Sequence, residues 1–382
     1  SVGETGLARR YSHCGPCGLG RSVAQEQLAL GEGRCTPQLA ETITKLATVV
    51  PYKMACGLAS TLIGAEVSVH GAERLVAERA EYVAIKGAED AAALCPWDST
   101  GLQRQITRPV GAVKEAPNVA YLEMDGVFVM AREEDVERSI VAPAGARGGK
   151  GRRYNVDGRE VKNAILYRGD MCADEGPGRG CLLEKRYVSF LGHWKLFALR
   201  VWVMMLLQRF DQASTLVVLS DGADWIRRFC DWLPSRPLMI LDLFHVKHRI
   251  WEVARAVHPG DKAAETGWAR AQIERIERGC GKDVVDALRF LKTPTAPAKE
   301  LVGELATYLG NNLDRMNYPK YREMGLRVGS GAIESTNYHV TGARLKQQGM
   351  RWTELGAADM AMLRADLFNG RWRARTREML AA

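Results

Sequence analysis

Several features are missing from this sequence, and each absence narrows its class. The nine cysteines are odd in number and scattered through 382 residues, which argues against a disulfide framework and suits a reducing cytoplasm. No run is both long and apolar enough to cross a bilayer. The nearest, Leu196–Leu207, is short and interrupted by Arg200, and reads as a buried helix. No secretory signal precedes the first domain, and there are no internal repeats or low-complexity tracts. A membrane span, a secreted disulfide scaffold and a repeat array are thereby set aside. What remains is a soluble, cytoplasmic chain long enough for two or three domains and a sizeable core.

Charge is present in excess and unevenly placed. The formal net charge is +8, which favours a polyanionic partner without requiring one. Near the C-terminus Arg344, Lys346, Arg351, Arg364, Arg371, Arg373, Arg375 and Arg377 outnumber the acids. A local surplus of this kind marks a DNA-facing surface better than the total does. At the other end Cys14 and Cys17 form a single C-x-x-C on a Gly/Pro knuckle. One pair is half of a tetrahedral zinc site, and free thiols in a turn account for it equally well, so residues 1–35 read as a partial zinc-knuckle-like segment.

Thr36-Pro37 opens a helix as cap and first helical residue, with Leu39, Ile43, Leu46 and Val50 at helical spacing until Pro51. A second helix runs from Tyr52 to Ile63 and stops at Gly64; Ser68 caps a third. Residues 36–95 are therefore a helical region, either a helix-turn-helix or an ordinary three-helix packing module, and 96–117 reads as a linker. Residues 118–131 predict a strand with Asp125 inside it, where an acid is costly unless paired or bound to metal. The charged, Gly-rich 132–159 predicts a hairpin connection or mobile loop. Strands follow at 160–167 and 182–190, then an apolar helix at 193–209. Two short runs rich in apolar and β-branched residues end on Asp221 and Asp242, each leading into a helix. Open α/β sheets place chemistry at such strand ends. The stretch 251–325 is all-helical, and Gly329-Ser-Gly-Ala-Ile-Glu334 opens a last helix within 326–382.

Asp125, Asp221 and Glu334 are three single acids on separate elements, and phosphodiester cleavage with two divalent cations needs such a cluster. The element order predicts an α/β chain. It has an RNase H-like mixed sheet over 118–250, the helical insertion, and a final helix with a basic tail. A helix-turn-helix-like DNA-binding region precedes it.

Met124-Asp125-Gly126, Ser220-Asp221-Gly222, Asp242-Leu-Phe-His245 and Gly329-Ser-Gly-Ala-Ile-Glu334-Ser, in that order, resemble the DDE transposases of bacterial insertion sequences. The nearest types are Kra and Lre, related to the mutator-like transposases. Arg344-Leu-Lys346 and Gly349-Met-Arg351-Trp352 resemble that family's closing pattern, and the likeness covers roughly 118–382. It implies Asp125, Asp221 and Glu334 as ligands of Mg²⁺, with Mn²⁺ as a substitute. Hydrolysis at transposon ends would free a 3′-OH that then attacks target DNA. Asp242 and His245 would be auxiliary. Arg344, Lys346, Arg351 and Trp352 would meet DNA, and Trp268 would stack on an unpaired base. Terminal inverted repeats and target DNA are the implied partners, bound by a homo-oligomer. Family members carry a further cysteine pair upstream of Cys14 and Cys17, so a chain starting at Ser1 suggests N-terminal truncation and leaves zinc doubtful. Two other readings stay open: a catalytically decayed DNA-binding protein, and an RNase H-like nuclease without strand transfer. Zinc held by His245, His248 and Cys230 is a weaker reading than one buried and one surface histidine.

Overall fold

The computed structural model describes residues 12–13, 15–16, 20–21, 35–94, 115–132, 156–174, 180–234 and 236–381. Cys14 and Cys17 lie outside these residues, as do most of the expected linker and of the Gly-rich connection.

A mixed sheet organises the chain. Strand β1 (Val119–Arg132) pairs antiparallel with β2 (Val156–Arg168), and β2 with β3 (Arg186–Leu191). On its other side β1 runs parallel to β4 (Thr215–Ser220), and β4 parallel to β5 (Leu238–Leu241). The spatial order is β3-β2-β1-β4-β5. A two-residue strand, β6 (Trp352–Thr353), joins β1 at Ala131 and Arg132, beyond the reach of β4.

Helices cover both faces, as the alternation of side chains along the strands requires. Ala120, Leu122, Met124, Leu216 and Val218 point to one face, packed by α4 (Trp194–Leu207) and α5 (Asp224–Trp232) through Phe197, Trp202 and Phe229. Tyr121, Val217 and Leu219 point to the other, covered by α6 (Leu243–Val257). The helical stretch that follows extends the same core with α7 (Lys262–Glu277), α8 (Gly281–Arg289), α9 (Ala296–Gly310) and α10 (Tyr318–Glu323), supplying Ile276, Val285 and Leu305. It therefore packs on the sheet's own helix layer.

Three helices precede the sheet. Thr36 Oγ1 caps α1 (Pro37–Val49) by accepting from Leu39 N. Gly64, left-handed at φ 69°, ends α2 (Tyr52–Ile63), a conformation that favours glycine. Ser68 caps α3, which runs on to Leu94 (Val69–Leu94). The module docks on the rest of the chain. Ala47, Val76 and Val83 share a core with Val129, Val161, Leu191 and Met360.

The C-terminal region is a further correction, because it is not a solvated basic tail. A helical turn α11 (Gly331–Thr336) continues through a π-helical stretch, Asn337–Gly342, into α12 (Ala343–Leu345). After β6 come α13 (Glu354–Phe368) and α14 (Trp372–Ala381). Arg344 is fully buried; its Nε donates to Ala47 O and its guanidinium stacks on Tyr52 and Trp352. Arg364 is also buried and donates to the carbonyls of Thr48, His339 and Val340. These two cations clamp α1 to the last helices through hydrogen bonds and ring faces. Trp352 is buried too, with Nε1 donating to Leu345 O. Neither Arg344 nor Trp352 can meet DNA, because no polar atom of either reaches solvent in a usable way. Lys346 and Arg351 are exposed.

Among the described residues, no helix is long and apolar enough to cross a membrane.

Candidate metal centre

The sheet register aligns three acids. The last β1–β4 pair is Met124 with Ser220, and the last β4–β5 pair is Ser220 with Leu241. Asp125, Asp221 and Asp242 are the next residues on three neighbouring parallel strands, whose backbones run about 4.8 Å apart. Asp221 and Asp242 were read in sequence as strand ends and Asp125 as an acid inside its strand; the register puts the three side by side.

Their partners then separate them. Asp125 Oδ1 accepts from Gly126 N at 2.7 Å and Oδ2 from Asn337 Nδ2 at 2.6 Å. Asn163 sits opposite Asp125 on β2, fully buried. It donates to Asn337 Oδ1 (2.8 Å) and accepts from Thr341 Oγ1 (3.0 Å). Asn337 and Thr341 both lie in the π-helical stretch, a feature often found at functional sites. The result is a chain of hydrogen bonds, Thr341–Asn163–Asn337–Asp125, that fixes the Asp125 rotamer.

Asp242 has no exposed surface. It caps α6 and accepts four bonds: Phe244 N and Ser330 N on Oδ1 (3.1 and 2.7 Å), His245 N and His245 Nδ1 on Oδ2 (2.9 and 2.6 Å). A carboxylate has about four acceptor positions, so none is left for a metal. Burial alone would raise its pKa, but the bonds from His245 and Ser330 prevail and hold it below the usual carboxylate value. Asp242 thus joins the start of α6 to the start of the helix that carries Glu334.

With Nδ1 committed to Asp242, His245 turns Nε2 toward Glu334 Oε1, 3.4 Å away. An imidazole held in this way has its orientation fixed by the carboxylate behind it. Ligand atoms of Asp125, His245 and Glu334 all lie within 4.8 Å of one another, slightly wider than the roughly 4.2 Å that two opposite bonds of about 2.1 Å span, so one divalent cation would draw the three side chains in by a few tenths of an ångström. The mixed oxygen and imidazole set suits Mn²⁺ and accommodates Mg²⁺. Asp221 is not in that group. Its Oδ1 accepts from Ala223 N at 2.9 Å, and its carbonyl accepts from Tyr308 Oη at 2.8 Å. Gly222, at φ 93°, makes the turn that follows. Asp221 is still close enough to act on Asp125. Burial raises Asp125 to about 6, and the charges of Asp221 and Glu334 push the same way. His245 is raised to about 9, chiefly by its bond to Asp242.

Other expectations fall elsewhere. Trp268 is half-buried on the helical core, its ring 6.4 Å from that of His258. The exposed aromatic ring beside the cluster is Phe244, 58% accessible and 6.2 Å from the His245 ring. Cys230, on α5, is buried among apolar side chains, and His248 faces Glu252 at 3.3 Å, so neither joins His245 in a zinc set.

Glu123 was not singled out in the sequence. It lies two residues before Asp125 on the same face of β1, is 1% exposed, and accepts from Tyr167 Oη (2.5 Å) and Ile333 N (2.9 Å). Burial raises it to about 7. It ties β1 to the helix bearing Glu334. The two-residue spacing of Glu123 and Asp125 was its sequence signal.

Residues 194–380 match the model of an uncharacterised protein family, UPF0236. The chain is also 24% identical over 271 residues to a UPF0236 protein of Caldanaerobacter subterraneus subsp. tengcongensis. That alignment takes in 70% of this chain and 50% of the relative, so the chain spans about half the length of the curated relative it matches. The family match begins at the first residue of α4 and takes in Asp221, Asp242, His245 and Glu334 but not Asp125.

Proposed function

We propose that this chain is a metal-dependent DNA transposase of the DDE type, cleaving phosphodiesters at transposon ends and joining the freed 3′-OH to target DNA. The observation that carries the reading is the convergence of Asp125, Glu334 and His245 within 4.8 Å, with Asp221 beside them at the end of the adjacent strand. The strand order β3-β2-β1-β4-β5, with three antiparallel strands followed by two parallel ones, supports an RNase H-like sheet. The net charge of +8 and the exposed Lys346 and Arg351 favour a polyanionic partner.

A bound Mg²⁺ or Mn²⁺ would activate the attacking oxygen and stabilise the leaving one. Asp125 and Glu334 would hold it, with His245 as the third donor. Asp125 is fixed by Asn337 and by Gly126 N, and His245 by Asp242, so little reorganisation is needed. Asp221 adds negative charge at the next strand end and would serve a second cation. Residues 37–94 and the exposed Lys346 and Arg351 are the candidate DNA contacts, and pairing of two element ends calls for a homo-oligomer.

The test is nicking and strand joining on DNA from the element's own flanks, with Mg²⁺ or Mn²⁺, wild type beside Asp125→Asn. The expected result is metal-dependent 3′-OH release and joining, lost in the variant. Nicking without joining would leave a nuclease. DNA binding with no cleavage at any metal concentration would leave a DNA-binding protein and end the enzymatic reading.

A further inference from the structure

A cavity of about 820 Å³ opens on the Asp221 side of the acid cluster, between α6, α9 and the turn after β4. Gly222, Arg227, Arg249, Tyr308 and Asn312 are among its walls. Arg249 is one helical turn beyond His245 on α6, hence on the same face. Its guanidinium carbon is 4.2 Å from the centroid of the Tyr308 ring. Tyr308 is itself fixed: its Oη donates to Asp221 O at 2.8 Å, and its carbonyl accepts from Asn312 Nδ2 at 2.8 Å. Arg249 is exposed, and among the described residues no carboxylate pairs with it. On the same wall Arg227 Nη2 donates to Asn311 O at 3.2 Å. Of the lining acids, Asp224 is paired with Arg228 at 2.8 Å and Glu304 is exposed.

We propose that this cavity is a phosphate subsite for the nucleic-acid backbone, with Arg249 as its principal binding residue and Arg227 as a second cation. The proposal rests on reading the acid cluster as a phosphodiester-cleaving site. A carboxylate cluster repels the strand it must cut, so a fixed cation beside it is needed to seat the next phosphate. A guanidinium held over a ring face is pre-organised and can present N–H groups to the forked contact that phosphate oxygens accept. An ammonium would keep the charge but lose both the stack and the fork.

The experiment measures anisotropy of a fluorescein-labelled oligonucleotide through a salt series, for wild type, Arg249→Ala, Arg249→Lys and Tyr308→Ala, each checked for a wild-type circular-dichroism melt. Arg249→Ala should bind roughly tenfold more weakly and lower the slope of log K against log salt by about one. Arg249→Lys should keep the slope and lose part of the affinity. Tyr308→Ala, which removes the platform together with the bond to Asp221 O, should behave like Arg249→Lys; if it melts early, the Arg249 pair alone decides. Wild-type affinity and slope in Arg249→Ala overturn the proposal. So does competition by inorganic phosphate that depends on Arg249 while oligonucleotide binding does not, since that describes a free-anion site. A changed slope with no cleavage by wild type upholds the subsite and ends the transposase reading. Cleavage by wild type with an unchanged slope does the reverse.

Discussion

Adding Mn²⁺ to the metal-free protein at pH 7 should release about one proton per site. Two of the candidate donors carry shifted pKa values: Asp125 is raised to about 6 and His245 to about 9. One unit above its pKa, Asp125 retains about 0.1 proton; two units below its own, His245 is almost fully protonated. Both must be deprotonated to ligate. Removing the His245 proton at pH 7 costs roughly 2.7 kcal/mol at full strength, and less after screening, because the ring is 27% exposed. Affinity should therefore rise by up to about tenfold per pH unit as far as pH 9, and more steeply below pH 6, where Asp125 must ionise as well. Calorimetry in buffers of different ionisation enthalpy counts the protons directly. Release near 0.1, with affinity flat above pH 7, would mean that His245 keeps its proton and stands only as a counter-charge. A rise below pH 6 no steeper than that between pH 7 and 9 would remove Asp125 from the ligand set.

Glu334→Gln should abolish cleavage and leave oligonucleotide affinity within about twofold, because it removes a metal donor and no phosphate contact; equal loss of both would refute the assignment. Glu123→Gln tests the buried acid. Its pKa is raised to about 7, so the folded state binds more protons than the unfolded one between roughly pH 4.5 and 7, and stability falls by roughly 3 kcal/mol as pH rises through that window. The variant should melt higher relative to wild type at pH 8 than at pH 5; an equal difference at both pH values would refute the shift. Arg344→Ala should lower stability by about 2–4 kcal/mol through lost packing and a carbonyl left without its donor, with the salt slope of DNA binding unchanged. Arg351→Ala should flatten that slope with little change in melting temperature.

Local rules carried the elements. Thr36-Pro37, Pro51, Gly64 and Ser68 mark helix ends by chemistry that involves only their neighbours, and the three N-terminal helices begin, and the first two end, at those residues. Alternation and β-branching located β1, β4 and β5 to within a residue or two. The third helix runs to Leu94, one residue short of the expected 36–95 region, although its last turns are polar and Ala-rich. The fate of the C-terminal arginines was not legible, because charge says nothing of burial. Arg344 and Arg364 are buried by carbonyls and rings contributed by α1 and the segments 337–342 and 350–368, and no spacing within 344–377 encodes those partners. Exposed Lys346 and Arg351 are of the same residue types and differ only in the direction they point.

The site divides along the same line. Acids at strand ends were visible, but which of them converge depends on register and on hydrogen bonds between elements far apart in sequence. Asp221 and Asp242 end neighbouring strands with almost the same local pattern, an apolar run followed by an acid and a helix. Asp242 is consumed by four donors, one of them Ser330 N at the start of α11. Asp221 gives one oxygen to Ala223 N. One is therefore an anchor and the other can act on what enters the site. Exchanging their chemistry would show the difference: Asp242→Asn should disorder His245 and the start of α11 and lower the melting temperature, because a buried acceptor for four N–H groups becomes a partial donor. Asp221→Asn should leave the melting temperature nearly unchanged while lowering the Asp125 pKa, since one of the charges that raises it is gone. A stable Asp242→Asn protein with intact metal binding would show that the link between α6 and α11 does not depend on this carboxylate.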